Sequence, residues 1–186
     1  MSLCISIQLG IIGLYPVEAT SILGSVSTAF FGAAIPEEIA KFIMLWLLLR
    51  KNPYFDEKMD GIVYAVCVSL GFAALENIMY LFTNAESYVS VGIARAIFAV
   101  PGHFCFGILM GYYYSLAKFY PKTPKKNKAL ILVAPIVVHG LYDSILFVIN
   151  VAPATVGILI ILFLVFCHKM WKYGSSRIQV FLNRDL

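Results

Sequence analysis

Apolar runs long enough to cross a bilayer recur along this chain, divided by short charged or polar connections, and that pattern leaves few folds open to it. The first, Ala19 to Arg50, is about 32 residues long and carries no charge from Thr20 to Ile35; others follow at about Gly61–Phe82, Ala99–Ala117, Ala129–Ile149 and Pro153–Cys167. Roughly 20 apolar residues as a helix cross a hydrocarbon core about 30 Å thick. In that core each backbone N–H and C=O must be satisfied within its own segment, which favours helices. The pattern therefore predicts an all-α polytopic membrane bundle of about five spans. Composition agrees: 61% of residues are hydrophobic and 13% charged, against about 25% charged in soluble domains, and the mean hydropathy is +0.86.

The connections give the orientation. Of the 14 Lys and Arg residues, Lys41 lies within a span and Arg95 on the side expected to be outer, while the rest share the side that holds residues 168–186. That bias marks the base-rich side as cytoplasmic. It predicts a multi-pass cell-membrane protein with an outer N-terminus and a cytoplasmic tail at residues 168–186. The bases lie between apolar segments, so the reading is lipid bilayer and no nucleic acid. Trp46, Tyr112 to Tyr114 and Trp171 fall near inner span ends, where an aromatic belt is expected. Lys118 to Lys128, with five lysines and two prolines, reads as a solvated loop. Residues Leu3 to Leu14 are too short to span and lack a basic leader, so residues 1–18 are expected to form a short outer segment of a single membrane-embedded domain. Cys4, Cys67, Cys105 and Cys167 show no C-x-x-C spacing, and no chemistry is assigned to them.

Pro36-Glu37-Glu38-Ile39-Ala40-Lys41 is locally a helix start, with proline at a position where a missing N–H costs nothing and carboxylates at the positive end of the dipole. Its setting is unusual because it interrupts the long first tract, and the span is expected to be kinked or broken there. A charge at membrane depth costs about 2.5–3.5 kcal/mol on insertion scales and usually faces a working cavity. At about 1.5 Å per residue, Glu37 and Glu38 lie roughly 18–20 Å from the cytoplasmic end of their span, Glu76 about 24 Å, His103 about 22 Å, His139 about 16 Å and Asp143 about 22 Å. Convergence from four segments predicts one polar chamber opening outward. Lys41 is i+4 from Glu37 and i+3 from Glu38, so it can approach either carboxylate. His139 and Asp143 share a face at i, i+4, so Asp143 can fix the tautomer of the ring. Asn77 reaches the chamber only from its edge.

Carboxylates and imidazoles in such a chamber suit zinc with an open position for water, Glu76, His103 and His139 being the candidate ligands. They equally suit metal-free activation of water by Glu and His, or a proton- or ion-coupled carrier. A catalytically silent binding protein of the same fold is a further alternative.

Five motifs taken together narrow the choice: P-E-E-I-A-K (Pro36 to Lys41), F-D-E-K-M-D-G-I-V-Y (Phe55 to Tyr64), S-L-G-F-A-A-L-E-N-I (Ser69 to Ile78), G-H-F-C-F-G (Gly102 to Gly107) and H-G-L-Y-D (His139 to Asp143). As a set and in this order they resemble the PrsW family of bacterial intramembrane proteases, which is similar in turn to the CAAX-prenyl-protease and bacteriocin-processing superfamily. Glu76 in place of that superfamily's histidine, and two residues between the glutamates and Lys41, are PrsW-like. The resemblance implies cleavage of a single-span anti-sigma factor near its extracytoplasmic face. It implies Glu37 and Glu38 as the essential pair, Lys41 as their basic companion, and Glu76, His103 and His139 as further catalytic residues, with Asn77 and Asp143 in support.

The outward chamber is testable by thiol labelling. With the native cysteines removed, single cysteines placed near Glu76 and His103 are expected to react with an impermeant reagent from the extracytoplasmic side. Labelling solely from the cytoplasm would overturn the orientation.

Overall fold

The computed structural model describes residues 21–120 and 124–183. The expected outer segment at 1–18, Cys4, and the bases Lys122 and Arg184 lie outside the described residues.

Ser21 opens the first helix, α1 (Ile22–Ser27), its Oγ accepting the Gly24 N–H at 3.1 Å. A π-helical stretch, Thr28–Ala34, joins it without a gap to α2 (Ile35–Leu49). The interruption expected at Pro36 thus takes the form of a wider turn just before it, with Ile35 N–H bonded to Phe30 C=O. Proline gives no N–H to the ladder, and the i→i+5 register absorbs the misfit locally.

A capping box starts α3 (Lys58–Thr83): Glu57 caps the first turn, and Asp60 Oδ2 accepts the Glu57 N–H at 2.8 Å. Next, α4 (Tyr88–Ala94), a second π-helical stretch (Arg95–Ala99) and α5 (Val100–Phe119) run on as one rod. Then come α6 (Pro124–Val151), a 3-10 turn (Pro153–Thr155) and α7 (Val156–Leu182). Among the described residues there is no strand. Four helical runs are long and apolar enough to cross a membrane: Lys58–Thr83, Tyr88–Phe119, Lys125–Val151 and Pro153–Leu182. Residues 22–49 make a fifth helical run, which carries Glu37, Glu38 and Lys41. The fold is an all-α, multi-pass membrane bundle.

Three boundaries differ from the sequence expectation. The third span begins at Tyr88 rather than near Ala99, because Arg95 turns into the protein and does not end the helix. Lys125 to Lys128, expected in the loop, already belong to α6. The expected polar tail continues α7 to Leu182, where Phe181 is fully buried and stacks on Tyr112 at 4.9 Å between centroids. Tyr112 is accordingly buried by the protein rather than placed in an aromatic belt.

The hub is α5, packed against α3, α6 and α7. Glycine makes its contact with α3 unusually close: a Cβ on Gly111 would lie 2.6 Å from Ile62 Cα and collide with the Gly61 carbonyl. One on Gly107 would lie 3.0 Å from Val66 Cα. In lipid, where burying apolar surface gives little net drive, such backbone proximity supplies the dispersion contacts that hold helices together. The outward faces stay apolar, with Leu75, Phe82, Ile158 and Ile161 exposed as lipid requires.

Gly111→Ala should cost about 1–3 kcal/mol by overpacking, read as a lowered Tm in a fixed detergent. Gly71 has nothing within 4 Å of its Cβ position, so Gly71→Ala should leave Tm unchanged or raise stability by up to about 1 kcal/mol. Equal behaviour of the two variants would contradict the α3–α5 contact.

Candidate active site

The first turns of α2 carry three ionisable side chains into the interior. Lys41 is 1% exposed, and its Nζ donates to Glu38 Oε1 at 2.6 Å, with Glu37 Oε2 farther off at 3.9 Å. The ammonium lies 4.9 Å from the Phe72 ring centre and 5.7 Å from that of Phe106. It also reaches His103 Nδ1 at 2.9 Å. An ammonium has only donors, so Nδ1 accepts and Nε2 carries the ring proton, which points to Glu76 Oε2 at 3.0 Å. The backbone of the same histidine is tied to α3 by Ser69 Oγ donating to His103 C=O at 2.6 Å.

His139 arrives on α6 and is bracketed by carboxylates. Its Nδ1 is 2.8 Å from Glu38 Oε1, and its Nε2 is 3.2 Å from Asp143 Oδ2 and 3.9 Å from Glu37 Oε2. The ring stacks on Phe106 at 4.5 Å and 18°. The next residue, Gly140, lets α6 approach the π-helical stretch, since the Phe30 ring fills the space a Cβ would need. That approach brings His139 to Glu38.

A cavity of about 280 Å³ opens beside this cluster, and its wall includes Glu37, Glu76, Arg95, His103, His139 and Asp143. Tyr80, Phe98, Phe106 and Tyr142 complete it as an aromatic surround. Lys41, Glu38 and Asn77 do not line it. The two adjacent glutamates therefore differ. Glu38 is fully buried behind the wall and bound through Oε1 to Lys41 and His139, whereas Glu37 lines the cavity; the Oε2 of each has no hydrogen-bond partner.

The donor set that converges among the described residues is Glu37, Glu76 and His103, whose ligand atoms lie within 4.8 Å of one another. Glu37 takes the place expected for His139, which lies outside this set. Two carboxylates and an imidazole around a buried oxygen lacking a partner fit a divalent cation. Charge points the same way: four carboxylates (Glu37, Glu38, Glu76, Asp143) meet two permanent cations, Lys41 and Arg95, and two imidazoles. Further positive charge is accommodated there without a new counter-ion.

Arg95 was not among the residues the sequence marked for the site. Its Nη2 lies 2.9 Å from Glu76 Oε2 as an ion pair without hydrogen-bond alignment, and its Nε donates to Asn77 Oδ1 at 2.6 Å. The guanidinium also lies 3.9 Å from the Tyr80 ring centre. Asn77 therefore holds Arg95, and Arg95 holds Glu76. The signal was present in the sequence: Arg95 is the one base separated from the base-rich side, flanked by apolar residues, and an arginine in that setting is costly unless it has a partner.

The family described as PrsW family intramembrane metalloprotease matches residues 2–168. Protease PrsW of Oceanobacillus iheyensis is 44% identical over 118 residues, which cover 63% of this chain and 54% of that protein. Protease PrsW of Clostridioides difficile is 35% identical over 163 residues, 86% of this chain and 66% of that protein. Protease PrsW of Geobacillus kaustophilus is 40% identical over 133 residues, 71% and 58% respectively. The chain thus spans between half and two thirds of the length of these relatives. No solved structure matches it. With glutamates and histidines gathered at one cavity, a buried lysine behind them and a family match over most of its length, the chain belongs to the PrsW family of intramembrane metalloproteases.

Proposed function

We propose that the chamber hydrolyses a peptide bond in a single-span membrane protein, a regulatory protein of the anti-sigma-factor kind, near its extracytoplasmic face. The observation that carries this reading is Glu37 in the cavity wall, its Oε2 without a hydrogen-bond partner, beside Glu76 and His103. A buried carboxylate oxygen without a donor is costly, and it is suited to accept a proton from water. Family membership and the base-rich opposite end support the reaction type and the side.

In this mechanism Glu37 accepts the proton of the attacking water. His139, held between Glu38 and Asp143 in the cavity wall, donates a proton to the leaving amine. Lys41 and Glu38 fix the two histidines from behind, and Arg95 holds Glu76 in the wall. Glu37, Glu76 and, once its Nε2 proton is released, His103 would hold Zn2+, which when bound supplies a Lewis acid that lowers the pKa of water. Glu37 has two oxygens, so ligation through one leaves the other to accept the proton.

Glu37→Gln is expected to reduce cleavage of a single-span reporter in proteoliposomes by about 10²–10⁴-fold, the usual weight of a general base, with little change in Tm. Glu38→Gln should lose activity and about 3–5 kcal/mol of stability as well, because it breaks a buried ion pair. Wild-type cleavage by Glu37→Gln would end this assignment.

Metal analysis provides an independent check. Purified protein should carry about one Zn2+ per chain, with content reduced in Glu76→Gln and His103→Ala and retained in Asp143→Asn. If chelation leaves the cleavage rate unchanged and no variant alters metal content, the metal part fails while the Glu37 prediction still stands.

A further inference from the structure

At the other end of the bundle, about 20 Å along α2 from Glu37, lies a larger cavity of about 560 Å³. Small-molecule sites range over roughly 300–1,000 Å³. Its shape follows from the ends of three helices. Beyond Leu49 the chain turns back so that Phe55 is buried, 3% exposed, under the last turns of α5, and the start of α6 closes the side. Phe55 meets Tyr114 at 5.7 Å and Phe119 at 5.4 Å, giving an aromatic floor.

Four cations line this cavity, Arg50, Lys51, Lys118 and Lys128, and no carboxylate does. The carboxylates in the adjoining stretch do not neutralise them from within. Glu57 and Asp60 are engaged in the capping box of α3, Asp60 also accepts the Asp56 N–H, and Asp56 is exposed and outside the lining. Two of the cations are held against the wall. Lys118 donates to Phe55 C=O and lies 3.8 Å from the Phe55 ring centre, and Arg50 lies 4.8 Å from that of Trp46. The apolar side of the cavity, Phe42 and Trp46, runs into the outward face of α2, where Ile43 and Leu47 are exposed.

Positive charge at one edge and a continuous apolar track leading into the lipid-facing surface match an amphiphile with an anionic head. A soluble anion would use only the charges, and a neutral lipid only the track. We propose that this cavity binds an anionic phospholipid, its phosphate taken by Arg50, Lys51 and Lys128 and its acyl chain laid along Phe42 and Trp46. Basic pockets between membrane helices select such headgroups by charge. The inference is independent of the proteolytic reading.

Trp46 lies in the wall and reports on occupancy, and the chain has only one other tryptophan, Trp171. In full-length Trp171→Phe protein held in neutral detergent, phosphatidylglycerol with brominated chains should quench Trp46 at a lower mole fraction than phosphatidylcholine with the same chains. The preference should fall about fivefold for each cation removed in Lys51→Ser/Lys128→Ser and persist in Lys51→Arg/Lys128→Arg. Equal quenching by the two lipids would reduce the cavity to ordinary annular contact and overturn the proposal. So would an undiminished preference in the serine variant. Displacement of the brominated lipid by soluble glycerol phosphate would assign the cavity to a soluble anion instead and equally overturn it.

Discussion

The ion pair between Lys41 and Glu38, 2.6 Å long and closed to solvent, is the contact on which the rest of the site depends. Each ion taken from water into a low-dielectric interior costs several kcal/mol, recovered only when its remaining donors and acceptors are also met. Lys41 meets that condition with Glu38, His103 and the faces of Phe72 and Phe106; Glu38 meets part of it with His139. Those partners stand on α3, α5 and α6. The pair thereby ties α2 to three other helices, Lys41 reaching α3 and α5 and Glu38 reaching α6. Apolar packing, which is non-directional, would not by itself fix which residues of four helices meet.

Close packing makes that ion pair geometrically attainable. Gly111 and Gly107 let α5 press against α3, and Gly140 lets α6 press against Phe30. A wider spacing would leave His103 and His139 unable to reach the same lysine–glutamate pair. The π-helical stretches contribute as well. Thr28–Ala34 precedes Pro36 and the glutamates, and Arg95–Ala99 starts with the arginine that holds Glu76. Such local widening re-aims side chains without ending a helix and often accompanies functional positions.

The bundle is charged at both ends in different senses. Inside the bundle, charge is concentrated around one cavity and paired there. At the base-rich end it lies against aromatic rings at a cavity that carboxylates do not line. The first arrangement fits the proposed hydrolysis, and the second the proposed anionic phospholipid.

By itself the sequence determined the class and the convergence of the polar residues, because in lipid a helix has a fixed rise and each charge is costly enough to stand out. Glu37, Glu76, His103, His139 and Asp143 could be placed at one level from residue counting alone, and all five line one cavity. Helix ends were less legible, since Arg95 and the stretch after His168 look polar in one dimension and find partners only in three. The roles within the glutamate pair were not legible at all. Glu37 and Glu38 are neighbours of identical chemistry, and about 100° of rotation along the helix puts one at the cavity and the other behind it with Lys41 and His139. Only the packing of α3, α5 and α6 around α2 decides which face looks into the chamber, and so which carboxylate the cavity reaches.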